Sequence, residues 1–140
     1  MKRSGDEPLS KYLSPVVSGE LHEISVLGLA HVGDAVFELM VRTWLCTGGV
    51  LTAKRMHGGA VEFVSAKAQA AAAELLLARL SEEETAVFRR GRNAHVNSVP
   101  SACTYEEYHL ATGMEALFGY LYLSGRIDRL DELFEIIVGN

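Results

Sequence analysis

Cysteine and proline are scarce in this 140-residue chain, which has two of the first and three of the second. Cys46 and Cys103 stand far apart with no CxxC neighbour, which argues against a disulfide framework and a cysteine metal site. Reduced thiols of this kind fit a cytoplasmic compartment. No apolar stretch follows Lys2 and Arg3 as a secretory signal requires, and no run of eighteen apolar residues escapes a charge, so no membrane span is expected. Strand-like alternation of useful length is missing, as is any internal repeat. Positive charge is also in short supply, with 13 Lys and Arg against 18 Asp and Glu and a formal net charge of -5. That balance speaks against a broadly basic surface and leaves room only for a local one.

Apolar residues make up 49% of the chain. A domain of this size buries roughly two thirds of the surface its unfolded form exposes, so one all-α domain over 9–140 is expected after a disordered amino terminus at 1–8. The most unusual stretch is LGLAHVGDAVFELMVRTWL, Leu27 to Leu45, too long for a strand and charged only at Asp34, Glu38 and Arg42. With His31 one turn earlier, those three share one stripe of a helix. Burying a carboxylate costs several kcal/mol unless it is paired, protonated or bound to metal. Either Arg42 neutralises Asp34 and Glu38 or a group outside this helix does.

Before that helix, Leu9 to Ser18 reads as a turn-rich approach, and the helix itself is predicted to begin near Glu20 or Ser25 and stop at Gly48-Gly49. Gly28 and Gly33 inside it each lower helix propensity by about 1 kcal/mol relative to alanine, a cost that suggests close packing of bare backbone. Leu51 to His57 reads as a short helix broken by Gly58-Gly59, and Val61 to Leu80 as one long alanine-rich helix. Ser81 to Glu84 forms a capping box for a helix to Arg90, stopped by Gly91. Thr104 to Glu107 forms another for a helix through Leu123, terminated by Ser124-Gly125. Ile127 to Val138 is plainly amphipathic.

In the helix opened by Thr104, Glu115 is the only charge between Leu110 and Leu123, and it shares a face with Tyr108, Thr112 and Tyr122. Two long apolar helices thus carry one isolated acid each, Asp34 and Glu115. If the helices pack together, the two carboxyls meet, and a shared proton or a hard divalent cation resolves their repulsion. Magnesium accepts one or two carboxylates, keeps waters and takes phosphate oxygens, so such a site suits phosphate-ester chemistry. The one dense basic cluster, Arg89-Arg90-Gly91-Arg92-Asn93-Ala94-His95, would then meet phosphates. The plainer readings are an ion pair to Arg42, a hydrogen bond from a tyrosine or histidine to Glu115, and a solvated basic helix end. His31, His57, His95 and His109 show no metal-binding spacing and read as structural or surface groups.

Gly33-Asp34-Ala35-Val36, continuing as Phe37-Glu38-Leu39, resembles the signature helix of the ribonuclease III catalytic domain, and LAHVGDAVFELMVR is closer still to its small branch, Mini-ribonuclease III. Four further segments agree in order: Val64 to Ala70, Arg89 to Ala94, Tyr108 to Ala116, and Gly119 to Leu123. The resemblance implies an all-helical homodimer that uses Mg2+, with Mn2+ as a substitute, to cleave double-stranded RNA into 5′-phosphate and 3′-hydroxyl ends. It implies that Asp34 and Glu115 are the catalytic metal ligands, with Glu38 and Thr112 in support. Arg89, Arg90, Arg92, Asn93 and His95 are the expected RNA contacts. The small branch is associated with maturation of the large-subunit (23S) ribosomal RNA precursor, which makes that RNA the expected substrate and a large-subunit ribosomal protein a candidate partner.

Larger ribonuclease III enzymes carry two further acids where this chain has Ala30 and Thr112, losses shared with the small branch. The chain also ends soon after the catalytic domain, so no double-stranded-RNA-binding domain is expected. Two rival readings stand beside the nuclease: a catalytically idle RNA-binding or ribosome-associated relative, and a helical interaction module in which Arg42 pairs with Asp34 and Glu38.

Overall fold

The computed structural model describes residues 10–13 and 21–139. The expected disordered stretch at 1–8 lies outside them, and of the turn-rich approach only 10–13 is described, as a turn. Six helices follow: α1 (Val26–Thr47), α2 (Ala53–Val64), α3 (Ala66–Leu76), α4 (Glu82–Arg92), α5 (Tyr105–Leu123) and α6 (Ile127–Val138), with short 3-10 turns at Leu21–Glu23 and Leu77–Arg79. The described residues contain no strand, so the fold is all-α as expected.

Helix α5 is the axis of the molecule. Its residues are apolar on every side, and a helix of that kind has to be surrounded. Helices α1, α3, α4 and α6 pack around it, α1 most extensively. Met114, Leu117, Phe118 and Leu121 of α5 are fully buried, each contributing roughly 1.5–3 kcal/mol by leaving water. Phe37 of α1 meets Phe118 edge-on at 5.5 Å between ring centroids and Phe134 of α6 at 6.0 Å, tying three helices together.

The helix starts are set by side-chain caps. Ser25 Oγ accepts from Gly28 N at 3.0 Å, and the boxes at Ser81–Glu84 and Thr104–Glu107 are both complete. Stops at Gly49 (φ +103°) and Gly125 (φ +77°) use a left-handed backbone that glycine adopts without strain. Elsewhere the sequence misleads. Gly58-Gly59 does not break a helix, because α2 runs through it, starting from the Thr52 cap, with Gly59 seated beneath Leu45. The long helix expected from Val61 to Leu80 is instead divided at Ser65, whose hydroxyl accepts from Ala68 N at 3.2 Å and starts α3. Gly91 is no stop either; it is buried within α4, where a Cβ would come within 2.8 Å of Ala116 Cβ.

Glu84 does more than close its capping box. It is fully buried, accepts from Ser81 N at 2.9 Å, and receives Arg129 Nε and Nη2 at 2.9 Å each, while Arg129 Nη2 also donates to the Arg79 carbonyl at 2.7 Å. Burial alone would raise its pKa, but the Arg129 hydrogen bonds, the Ser81 amide and the charges of Arg129 and Arg126 together hold it below the usual carboxylate range. This pair clamps α6 to the start of α4.

Candidate active site

The crossing of α1 and α5 is made of glycine. A Cβ on Gly33 would stand 1.7 Å from the Glu115 carbonyl oxygen, and one on Gly119 would stand 1.9 Å from that of Leu29. Backbones therefore touch where the two acids sit, in keeping with the cost of a glycine at position 33 of a helix. Gly28 plays no such part, since a Cβ there would meet only Ser25 and Ile24 of its own turn.

Across this contact the Asp34 carboxyl acts on that of Glu115. Asp34 is exposed and Glu115 is half-buried. Burial, then the hydrogen bond and charge of Asp34, push the Glu115 pKa from 4.5 up to about 8, against a smaller opposing effect of the Gln69 amide. In the metal-free protein Glu115 thus holds a proton near neutral pH. Asp34 forms no ion pair with Arg42; Arg42 binds Glu38 instead, at 2.6 Å. Half the basis for a helical interaction module is thereby removed.

Thr112 is buried beside Glu115 in a cleft of about 350 Å³ that also takes in Lys67, Gln69 and Tyr108. Its hydroxyl donates to the Tyr108 carbonyl at 2.8 Å, so the proton is spent within the helix while the oxygen can still accept. Glu38 lines a different recess, with Arg42 and His57. Gln69 lies inside a segment that carries the family resemblance, yet nothing in the residue pattern assigned it a role. It is buried to 1% exposure, donates to the Val64 carbonyl at 3.3 Å, and leaves Oε1 without a partner. An amide amid the alanines of α3 is the signal that could have found it.

Arg89, Arg90 and Arg92 occupy the last turn of α4, all exposed, with Asn93 as the C-cap and exposed His95 just beyond. Their position favours the negative end of the helix dipole. It also has a tertiary consequence: Gly91 lies against Thr112, Gly113 and Ala116, which brings the basic turn beside the stretch of α5 that carries Glu115. His31 is exposed in an apolar groove with Asp131, and His57 is exposed on α2. His109 is not a surface group. It is buried, and neither ring nitrogen has a hydrogen-bond partner.

A compact helical domain with paired carboxyls at a glycine crossing and an adjacent basic turn is matched by a family model, the ribonuclease III domain, over residues 27–126. That match defines the molecule as an endoribonuclease of this class. A Mini-ribonuclease 3 from Thermoanaerobacter sp. (strain X514) is 42% identical over 115 residues, spanning 82% of this chain and 81% of that one. Another, from Symbiobacterium thermophilum, is 43% identical over 109 residues, spanning 78% of this chain and 84% of that one. A crystal structure of a Fusobacterium nucleatum protein superposes with a TM-score of 0.79 at 28% identity, covering 88% of this chain and all of that one. The chain belongs to the Mini-ribonuclease 3 branch of the ribonuclease III family.

Proposed function

We propose that the protein is a Mg2+-dependent endonuclease of double-stranded RNA, acting as a homodimer in the cytoplasm on the large-subunit ribosomal RNA precursor and leaving 5′-phosphate and 3′-hydroxyl ends. The observation that carries the metal-dependent chemistry is the Asp34–Glu115 pair. Among the described residues no group of three or more His, Cys, Asp or Glu side chains gathers to hold an ion. Two carboxylates with room for waters is nevertheless a donor set that magnesium accepts. The unpartnered Gln69 Oε1 at the same place suits a coordinated water as its hydrogen-bond donor. When bound, the ion supplies charge neutralisation at the phosphate and lowers the pKa of water.

The chain's own residues do the rest. Glu115 gives up its proton and holds the ion with Asp34, Gln69 and Thr112 orient what lies beside Glu115, and Glu38 supports α1 through its ion pair with Arg42. Arg89, Arg90, Arg92, Asn93 and His95 receive phosphates and 2′-hydroxyls of an A-form duplex. Support for the dimer comes from an apolar groove of about 500 Å³ on α1 and α6, lined by Val32, Val36, Leu39 and Leu130, with Leu39 57% exposed. Among the described residues no helix is long and apolar enough to cross a membrane. The ribosomal RNA substrate and a large-subunit ribosomal protein as partner both rest on the resemblance of the sequence to the small branch of the family.

The test is cleavage of a structured RNA duplex with Mg2+ by the wild type, Asp34→Asn and Glu115→Gln. Activity that needs the ion and disappears in both folded variants is expected. Equal activity in all three would overturn the metal site, and duplex binding without cleavage by the wild type would favour the idle relative.

A further inference from the structure

The cleft of about 350 Å³ that holds Thr112 and Glu115 has one basic residue in its lining, Lys67. Lys67 stands in the first turn of α3, is exposed, and among the described residues forms no ion pair. Its own helix offers it none. The residues one turn away on either side are Phe63, Val64, Ala70 and Ala71, so no acid stands at a spacing of three or four. Glu115 is not its partner either, since the groups that act on that carboxyl are Asp34 and Gln69. A cation and an acid thus share one cleft without pairing, and none of the arginines at the end of α4 lines it.

The chemistry at Glu115 says what an unpaired ammonium there is suited to. Larger relatives carry two further acids where this chain has Ala30 and Thr112, so fewer carboxylates gather cations around the phosphate. Attack on a phosphodiester builds negative charge on the phosphoryl oxygens, and a fixed cation beside them stabilises it. Lysine supplies that charge without a metal, as a point charge with three donors on a flexible stem. The first turn of α3 favours an anion at the same end, because Ser65 starts a new helix there whose early amides lack intrahelical acceptors. We propose that Lys67, from the α3 wall of the cleft, donates to a non-bridging oxygen of the phosphate that is cut and stabilises the charge that develops on it. The proposal rests on duplex RNA being the substrate.

The experiment uses the full chain and a duplex cleaved at one site, together with a series in which one phosphate at a time is replaced by an uncharged methylphosphonate. Lys67→Met keeps the apolar stem and removes the charge; since Lys67 is exposed, thermal melting should not change. Binding is read with Ca2+ in place of Mg2+ and the duplex recovered intact. Neutralising the phosphate at the cut should weaken binding by the wild type about fivefold more than binding by Lys67→Met, the loss of one charge-assisted hydrogen bond. Neutralising any other phosphate should weaken both equally, so that the coupling is confined to one linkage. With Mg2+ and saturating normal duplex, kcat of Lys67→Met should fall about 100-fold, and Lys67→Arg, which keeps a cation, should recover about tenfold. Equal losses in wild type and Lys67→Met at the cut, coupling at a different phosphate, or an undiminished kcat overturns the contact. A wild type that leaves every duplex uncut fails before Lys67 is changed, and takes the nuclease reading and this proposal with it.

Discussion

Gly33 lies so close to the backbone of Glu115 that a Cβ added to it would sit 1.7 Å from the Glu115 carbonyl oxygen. The residue preceding Asp34 is therefore glycine for a geometric reason: only a bare backbone lets α1 approach α5 far enough for the two carboxyls to meet. Gly33→Ala is expected to force the helices apart, costing about 3 kcal/mol of stability and abolishing cleavage. Gly58→Ala, where a Cβ meets nothing within 4 Å, should instead stabilise by about 1 kcal/mol. Thermal melting and duplex cleavage of both variants check this, and an active, stable Gly33→Ala would refute it.

Burial of Glu115, reinforced by Asp34, makes stability depend on pH when no metal is present. Glu115 holds its proton more tightly folded than unfolded, with a pKa of about 8 against 4.5. The contribution is complete below 4.5 and is lost as pH rises through 8, a decline of a few kcal/mol in unfolding free energy. Urea titrations of the metal-free protein between those limits should show the slope, while Glu115→Gln or added Mg2+ should flatten it. A flat wild-type profile would mean that neither burial nor Asp34 holds the proton on Glu115.

Glu84 has the opposite sign. Its pKa is held below the ordinary value, so its contribution is present above 4.5 and fades as pH falls through the folded value. Glu84→Ala leaves the Arg129 guanidinium without its buried partner and should cost about 3–5 kcal/mol in chemical denaturation. A cost under about 1 kcal/mol would show that water replaces the carboxylate.

Removing Arg90 and Arg92 together should weaken duplex binding and reduce the dependence of log affinity on log salt by about 1 for every phosphate deprived of its cation. An unchanged slope would move the RNA surface away from this turn.

Leu39→Glu places a charge in the apolar groove of α1 and α6 and should shift the protein from dimer to monomer in sedimentation, with loss of duplex cleavage. A wild type that sediments as a monomer at micromolar concentration would remove the groove as a seam.

The limits of α5 and α6, the start of α4 and the end of α1 are legible in the sequence because their signals are local: two capping boxes, two left-handed glycines and long apolar stretches. Ser65 and Gly91 mislead for a related reason. A serine in an alanine-rich stretch can lie within a helix or start a new one, and a glycine near a helix end can stop the helix or pack it; the choice belongs to what lies opposite. Asp34 and Glu115 can be singled out because a lone carboxyl on an apolar helix needs a partner. Gln69, His109 and the Glu84–Arg129 clamp cannot, since their meaning comes from neighbours 45 residues away in the chain or from the lack of any hydrogen-bond partner.

The opening helix poses the question of what tolerates Asp34 and Glu38, and the two acids have different answers. By itself the sequence determined an all-helical chain, the two acids that require explanation, and the family, all of which follow from short-range patterns of residue type. Only the tertiary structure decided that Glu38 is satisfied within its own helix while Asp34 reaches across to Glu115. That distinction depends on how closely two backbones can approach, which is set by the glycines facing each other at the crossing.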